Sequence, residues 1–313
     1  MKNPFPYSLD NKRYKTWNWF LQNKFGCKVT KIALNGGFTC PNIDGTKGYG
    51  GCTYCLSGSG DFAGNPEESI EVQFKTIAEK MGKKWQDTKY IPYFQANTNT
   101  YASLPCLKEL YEAALSLENV VGLAISTRPD SISDEVYEYL SEINKRTYLL
   151  VELGLQTIFD ETGEKINRCH SYREFEDCYR KLKSLGINVC VHLILGLPGE
   201  TREMMLQSVK QVASLKPDCI KLHLLHILKG TKMAKQYEDG EFRCLELKEY
   251  VDIIVDALEL LPPETTVQRL TGDGGRDSLI APLWSLKKFV VLNEIDKEMV
   301  RRNTVQGAKY QNS

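Results

Sequence analysis

Three cysteines fall within sixteen residues of this chain, Cys40, Cys52 and Cys55, with spacers of eleven and two residues. Glycines at 45, 48, 50 and 51 and an Asp44-Gly45 turn signal lie between them, so the backbone can fold back and set Cys40 beside the close pair. Thiolates gathered on one loop are metal ligands, and their number decides which metal chemistry is open to them. A structural zinc site closes with four protein ligands. No fourth is near, because His170, His192, His223 and His226 all lie more than a hundred residues downstream. Three thiolates on a four-iron cubane leave one iron open to a ligand that is not protein. The count therefore predicts one [4Fe-4S] cluster that binds a small molecule and does chemistry. The plainer alternative is a set of buried thiols, which behave as small apolar side chains. That reading suits Cys27, Cys106, Cys169, Cys178, Cys190, Cys219 and Cys244, scattered through apolar stretches, and suits a polar glycine-rich loop poorly.

The elements that would position such a loop alternate along the chain. Extended apolar runs at 29–34, 90–95, 120–126, 148–155, 188–195 and 219–228 read as strands. Helical spacing at about 10–24, 66–84, 104–117, 133–144, 172–185, 201–215 and 245–261 separates them, with Pro66 as a first-turn residue and Ser133 as a cap. Six strand-then-helix units predict an α/β fold, a parallel sheet curled into a partial TIM-like (β/α)6 barrel with an N-terminal helical extension and a C-terminal extension. The expected division is 1–28, basic and aromatic; 29–262, the core, with the cysteine loop at 36–60; and 263–313, a substrate-side extension. Chemistry in such barrels gathers where strands end at their C-termini. Polar residues recur there: Gln95 to Asn99, Ser126 to Arg128, Glu152 to Gln156, His192, and His223 to His226. Arg269 and Asp273 flank what reads as the end of a seventh strand. With Lys221, His223 and Trp284 they are expected to line the substrate side of the barrel mouth. Gly272-Asp273-Gly274-Gly275 lacks the Lys-Ser/Thr of a Walker loop and is read as a substrate-side loop.

At 313 residues the chain can bury a core without disulfides. It shows no signal segment and no apolar run of the ~20 residues that span a bilayer, which predicts a cytoplasmic protein with no membrane partner and reduced thiols. Formal net charge is zero, but residues 1–31 carry seven Lys or Arg against one acid, and residues 284–313 carry six against three. Basic ends interleaved with Tyr7, Tyr14, Trp17, Trp19, Phe20 and Phe25 suit either a base-stacking, phosphate-tracking surface or aromatics packed into the closing layer of a barrel.

The segment Cys40-Pro41-Asn42 through Gly51-Cys52-Thr53-Tyr54-Cys55, after a first strand, resembles the cluster loop of the radical S-adenosylmethionine (radical SAM) superfamily. It is most similar to the Elongator-catalytic-subunit-like branch and, within it, to the bacterial YtqA/YhcC-like family. The eleven-residue first spacer departs from the three residues commonest in the superfamily and fits that branch. The resemblance implies that Cys40, Cys52 and Cys55 hold the cluster and that its open iron takes the amino and carboxylate groups of S-adenosyl-L-methionine. It implies cofactor contacts from Asn97 and Thr98 to the methionine amino group, although the usual glycine-rich motif is absent. It also implies contacts from Ser126, Gln156 and Arg168 to ribose and carboxylate, and from Tyr54, His192 and Leu228. The activity it implies is reductive cleavage of S-adenosylmethionine and hydrogen abstraction from a substrate, with electrons from a donor such as flavodoxin or ferredoxin. The branch implies a tRNA substrate, at a wobble-uridine side chain. The chain ends too early for the acetyltransferase domain of the Elongator subunit, so remodelling of an existing side chain is expected over building one. Oxidation or rearrangement of a small metabolite is the alternative chemistry, and a metal-pinned, non-catalytic nucleic-acid-binding module the alternative class.

Overall fold

The computed structural model describes residues 5, 11–56, 63–82, 88–272 and 274–311. Asp273, loop residues 57–60 and most of the first ten residues, Tyr7 among them, lie outside these. In chain order the elements are α1 (Trp17–Phe25), β1 (Val29–Leu34), α2 (Ile70–Gly82), β2 (Lys89–Phe94), α3 (Leu104–Leu115), β3 (Gly122–Thr127), α4 (Asp134–Arg146), β4 (Tyr148–Gln156), α5 (Asp160–Lys165), α6 (Tyr172–Ser184), β5 (Asn188–Leu195), α7 (Arg202–Ser214), β6 (Cys219–Leu224), β7 (Ile227–Leu228), α8 (Lys232–Glu238), α9 (Leu247–Leu260), β8 (Thr266–Arg269), β9 (Leu279–Ala281), a 3-10 turn (Leu283–Leu286) and α10 (Lys288–Arg301). Strands β1 to β6 and β8 pair in parallel, in sequence order, as a seven-stranded half-barrel. The fold class is the expected partial TIM-like barrel, with β8 as a seventh strand.

Alternation along β4 shows how the sequence builds it. Leu149, Val151, Leu153 and Leu155 pack outward into the large core shared with the helices, while Tyr148 and Leu150 face the barrel axis. Around the axis the side chains stack in layers. Val29, Ile91, Leu150, Cys190 and Cys219 make an apolar floor, closed from below by Leu21 with Trp17, Phe20 and Phe25 of α1. Two residues further along their strands stand Lys31, Tyr93, Glu152, His192 and Lys221. Trp17, Phe20 and Phe25 thus belong to the closing layer. The basic residues beside them are engaged as well: Lys12 with Asp296, Arg13 with the Thr304 carbonyl at 3.1 Å, and Lys15 with the Glu264 carbonyl at 2.6 Å.

Three elements depart from the sequence reading. The first helix starts at Trp17, where Thr16 caps it by accepting from the Trp19 amide, and stops at Gly26 in the left-handed region (φ 70°). Pro66 is in a turn before α2 rather than its first turn, because Asn65 accepts the Glu67 amide at 3.1 Å and holds a separate bend. The run 219–228 breaks after Leu224. Ile227 and Leu228 leave the barrel to pair antiparallel with β9. The sheet does not close on itself: among the described residues the outer edge of β8 takes the bridge between Thr16 and Val267, and α1 packs against both β8 and β1 across the gap.

Candidate metal centre and the cavity beneath it

Directly after β1 the chain enters the cysteine loop, whose conformation depends on small residues and on one partner segment. Gly50 and Gly51 both take left-handed backbone (φ 76° and 72°), and a Cβ on Gly48 would sit 2.4 Å from Asn42 Oδ1 and 2.8 Å from Cys169 Sγ. The segment 166–169, after α5, grips the loop. Asn167 Nδ2 donates to the carbonyls of Gly51 (2.7 Å) and Tyr49 (3.1 Å), the Thr53 amide donates to Ile166 O at 2.9 Å, and Asn42 Nδ2 bridges Asn167 O and Cys52 Sγ, the latter at 3.6 Å. Asn167 and Cys169 are themselves left-handed (φ 54° and 59°), backbone that persists only where its surroundings over-determine it.

Cys40, Cys52 and Cys55 all face one cavity of about 1010 Å³ that runs from the loop into the barrel. Three thiols facing one cavity would each take a separate iron of a cubane, where a structural zinc would call for four protein ligands. Burial pushes the Cys52 thiol up against the pull of Arg128, and burial with Cys52 and Cys55 raises the Tyr54 phenol well above its usual range. The donor set therefore fits a polynuclear cluster. A second sign of fit is the buried Asn97 Oδ1, which accepts no hydrogen bond within the protein, while its Nδ2 donates to Phe38 O at 2.6 Å. Asn97 is left-handed (φ 59°) three residues after β2 and lines the cavity.

Thr98, Ser126 and Leu228 line the same cavity, as does Gln156, which follows a bulge at the end of β4 and is again left-handed (φ 66°). Arg168 reaches the cavity wall, but its guanidinium is turned into the protein. It donates to His170 O (2.8 Å), Leu155 O (2.9 Å), Thr157 O (2.6 Å) and Asp160 Oδ1 (2.8 Å), which leaves one N–H for anything else. Arg168 thereby fastens the turn after β4 to the segment that grips the cysteine loop. Arg128 does the companion task, donating to Asp130 through two bonds and to the carbonyls of Arg168 (2.8 Å) and Cys169 (3.2 Å). Burial opposes its charge, yet Asp130, Cys40 and Cys52 hold its pKa above the ordinary value.

Deeper in the cavity a charged layer surrounds Glu152, whose side chain is fully buried. Lys221 Nζ lies 2.5 Å from Oε2, Tyr93 donates its hydroxyl at 2.7 Å, His192 Nε2 stands 2.9 Å away, and Lys31 pairs with the other oxygen. Lys31 also donates to Gln268 Oε1 at 3.0 Å. Burial pushes the Glu152 carboxyl up, but Lys221 and Lys31 pull it well below the carboxylate range. Burial takes Lys221 down to about 8, and burial with Lys221 takes His192 to about 4. His223, its ring tilted 53° to that of His192 at 5.2 Å, is lowered well below its usual value by burial and then by His192 and Arg269. The ligand atoms of Glu152, Cys190 and His192 lie within 4.8 Å of one another, but two ammonium groups already hold the carboxylate, which makes this a poor cation site.

Lys221, His223 and Arg269 therefore share one chamber with the cysteines. Trp284 does not line it. Its indole N–H donates to Leu245 O at 3.1 Å and its ring packs on Tyr250, because a half-buried indole needs both an acceptor and an apolar bed. Its neighbours Ser285, Leu286 and Lys288 take the rim instead. Sequence reasoning missed Asn42, Asn167, Lys31 and Tyr93 as site-building residues, and noted Arg128 only as a polar residue at a strand end. The available signal was a charged or hydroxyl group at inward positions of apolar strands, as at Lys31, Tyr93 and Glu152.

Residues 46–212 match the radical SAM superfamily, and residues 217–301 match the Radical_SAM C-terminal domain. The YtqA protein of Bacillus subtilis is 51% identical over 99% of this chain and 96% of its own length. The tRNA uridine(34) acetyltransferase of Methanocaldococcus jannaschii is 31% identical over 49% of this chain and 28% of that protein. Among solved structures, the archaeal Elp3 of Methanocaldococcus infernus superposes with a TM-score of 0.65 at 20% identity, covering 89% of this chain and 64% of that one, a likeness of fold.

Proposed function

Because the chain belongs to the radical SAM superfamily, we propose that it cleaves S-adenosylmethionine reductively and uses the radical to remodel the C5 side chain of a wobble uridine in tRNA. The observation that carries the reading is the single chamber: three thiols at its upper end, a buried charged layer at its lower end, and about 1010 Å³ between. That volume is at the top of the range for one ligand-sized pocket and suits a cofactor and a nucleoside together. Cys40, Cys52 and Cys55 would hold a [4Fe-4S] cluster, which would supply the electron for reductive cleavage of S-adenosylmethionine.

The chain's own residues position and insulate. Asn97 accepts from the methionine amino group, Gln156 and Ser126 hydrogen-bond the ribose, and Arg128 offsets thiolate charge at the loop. The layer around Glu152 fixes polar groups of the nucleoside and keeps water from the radical. One-electron donors of the flavodoxin or ferredoxin class reach the cluster from the loop's outer face. Support for the tRNA substrate comes from the similarity of half the chain to an enzyme named for uridine 34. No helix among the described residues is long and apolar enough to cross a membrane.

Anaerobic reconstitution with iron and sulfide, followed by dithionite and S-adenosylmethionine, tests the first half. The reading expects four irons per chain and 5′-deoxyadenosine, and zinc without iron refutes it. Digestion of total tRNA from a deletion strain tests the second half. Loss of one modified uridine is expected, and an unchanged nucleoside profile refutes the tRNA substrate.

A further inference from the structure

A cluster of exposed large apolar side chains stands at the chamber's rim. Phe289 is 81% exposed, Leu283 62%, Val290 43% and Leu286 37%. They are neighbours: Leu283 and Leu286 are three apart in the 3-10 turn, and Phe289 and Val290 follow three and four residues later at the start of α10. The opposite face of α10 is the one that packs, with Val291, Ile295 and Met299 fully buried. The stripe therefore has no role in the core. It is continuous with the chamber, whose wall includes Ser285, Leu286 and Lys288.

Its chemistry is aromatic and cationic together. Lys287 is exposed beside Phe289 and Lys288 is half-buried, and the nearest acids in the chain are Asp277 and Glu294 on either side of the segment. A flat π-face next to an exposed ammonium group is the recognition chemistry of single-stranded nucleic acid. We propose that Phe289 is the platform on which a base flanking the reacting nucleotide stacks, with the adjoining phosphate on Lys287. This assignment rests on the tRNA reading above and says where that RNA is held. Self-association fits the patch less well. A two-fold contact would lay the stripe on its own copy, bringing Lys287 and Lys288 against themselves. Four side chains also fall short of the ~800 Å² per partner that a stable interface buries.

The test uses the full reconstituted chain and a fluorescein-labelled anticodon stem–loop transcribed in vitro, with binding read by anisotropy across a salt series. F289A is expected to weaken binding by about 5- to 150-fold, the equivalent of one lost stack, and F289W to restore it. K287A is expected to reduce the slope of log affinity against log salt by about 0.7, one phosphate on a single strand. Formation of 5′-deoxyadenosine without RNA stays at the wild-type rate in F289A. If F289A binds the stem–loop as tightly as wild type while the deletion strain still lacks a modified uridine, the platform is refuted and the tRNA reading survives. Wild-type protein that binds no RNA, with an unchanged nucleoside profile, overturns both. A dimer that F289A converts to monomer, with RNA affinity unchanged, makes the stripe a self-association surface and also overturns the proposal.

Discussion

Two sets of buried cations lie in one chamber and do opposite things. Near the thiols, Arg128 and Arg168 direct their guanidinium groups into the protein, onto five backbone carbonyls and two aspartates. Below them, Lys31 and Lys221 converge on a single carboxylate, Glu152, inside the cavity. A guanidinium carries five donors in a rigid fork and can tie several strands of backbone at once; an ammonium is a compact charge whose state shifts on burial. The arginines therefore act as fasteners of the cysteine loop, while the lysines form an adjustable electrostatic layer lining the cavity.

The contrast is broken most directly at Glu152. E152Q leaves two ammonium groups around a neutral amide and is expected to cost about 3–5 kcal/mol in urea unfolding while iron content holds at four per chain. Adding K221M should recover part of that loss, a coupling that a double-mutant cycle reads out. R168K comes next: it keeps a charge for Asp160 but strands buried carbonyls, costing about 2–3 kcal/mol and, unlike E152Q, lowering iron per chain. Equal iron loss in both variants would erase the distinction between fastener and layer.

A pH series sharpens the contrast. Lys221 falls to about 8 when folded against 10.5 when free, so between those values the unfolded chain binds more protons and stability rises with pH. Wild type should show a steeper rise than K221M from pH 8 to 10 and a parallel course below pH 8. The smallest effect is expected at the cofactor: N97A should weaken S-adenosylmethionine binding by about 5- to 10-fold, by calorimetry on the unreduced enzyme, since it removes one acceptor.

The cysteine loop was legible because its spacing is local, and the six long strands because apolar runs between helices carry their own signature. Partnership across distance was not. Glu152 meets Lys31 at a separation of 121 residues and Lys221 at 69, and no window of sequence shows that these three share one layer. Lys31 read as one more charge on a basic N-terminus because its strand is only six residues long and its inward direction emerges only with the register. Arg168 was picked out, but whether a guanidinium faces a ligand or its own backbone depends on where the turn after β4 runs. The 219–228 run stays apolar through the point where the chain leaves the sheet, so the switch from β6 to β7 left no mark. Trp284 looked like a binding residue for its type alone, and its neighbour Phe289 went unnoticed in an apolar stretch that reads as core.

The gap between β8 and β1 has one more result. With no continuous ladder around the circle, the girth of the half-barrel depends on what α1 inserts there. Trp17 is that insert, stacked on Phe20 at 5.4 Å, beneath the Lys31 ammonium at 5.1 Å and reaching the chamber wall. One indole thus serves as a spacer in an otherwise rigid ring, and a smaller or larger ring at that position would resize the chamber while every strand hydrogen bond stayed in place.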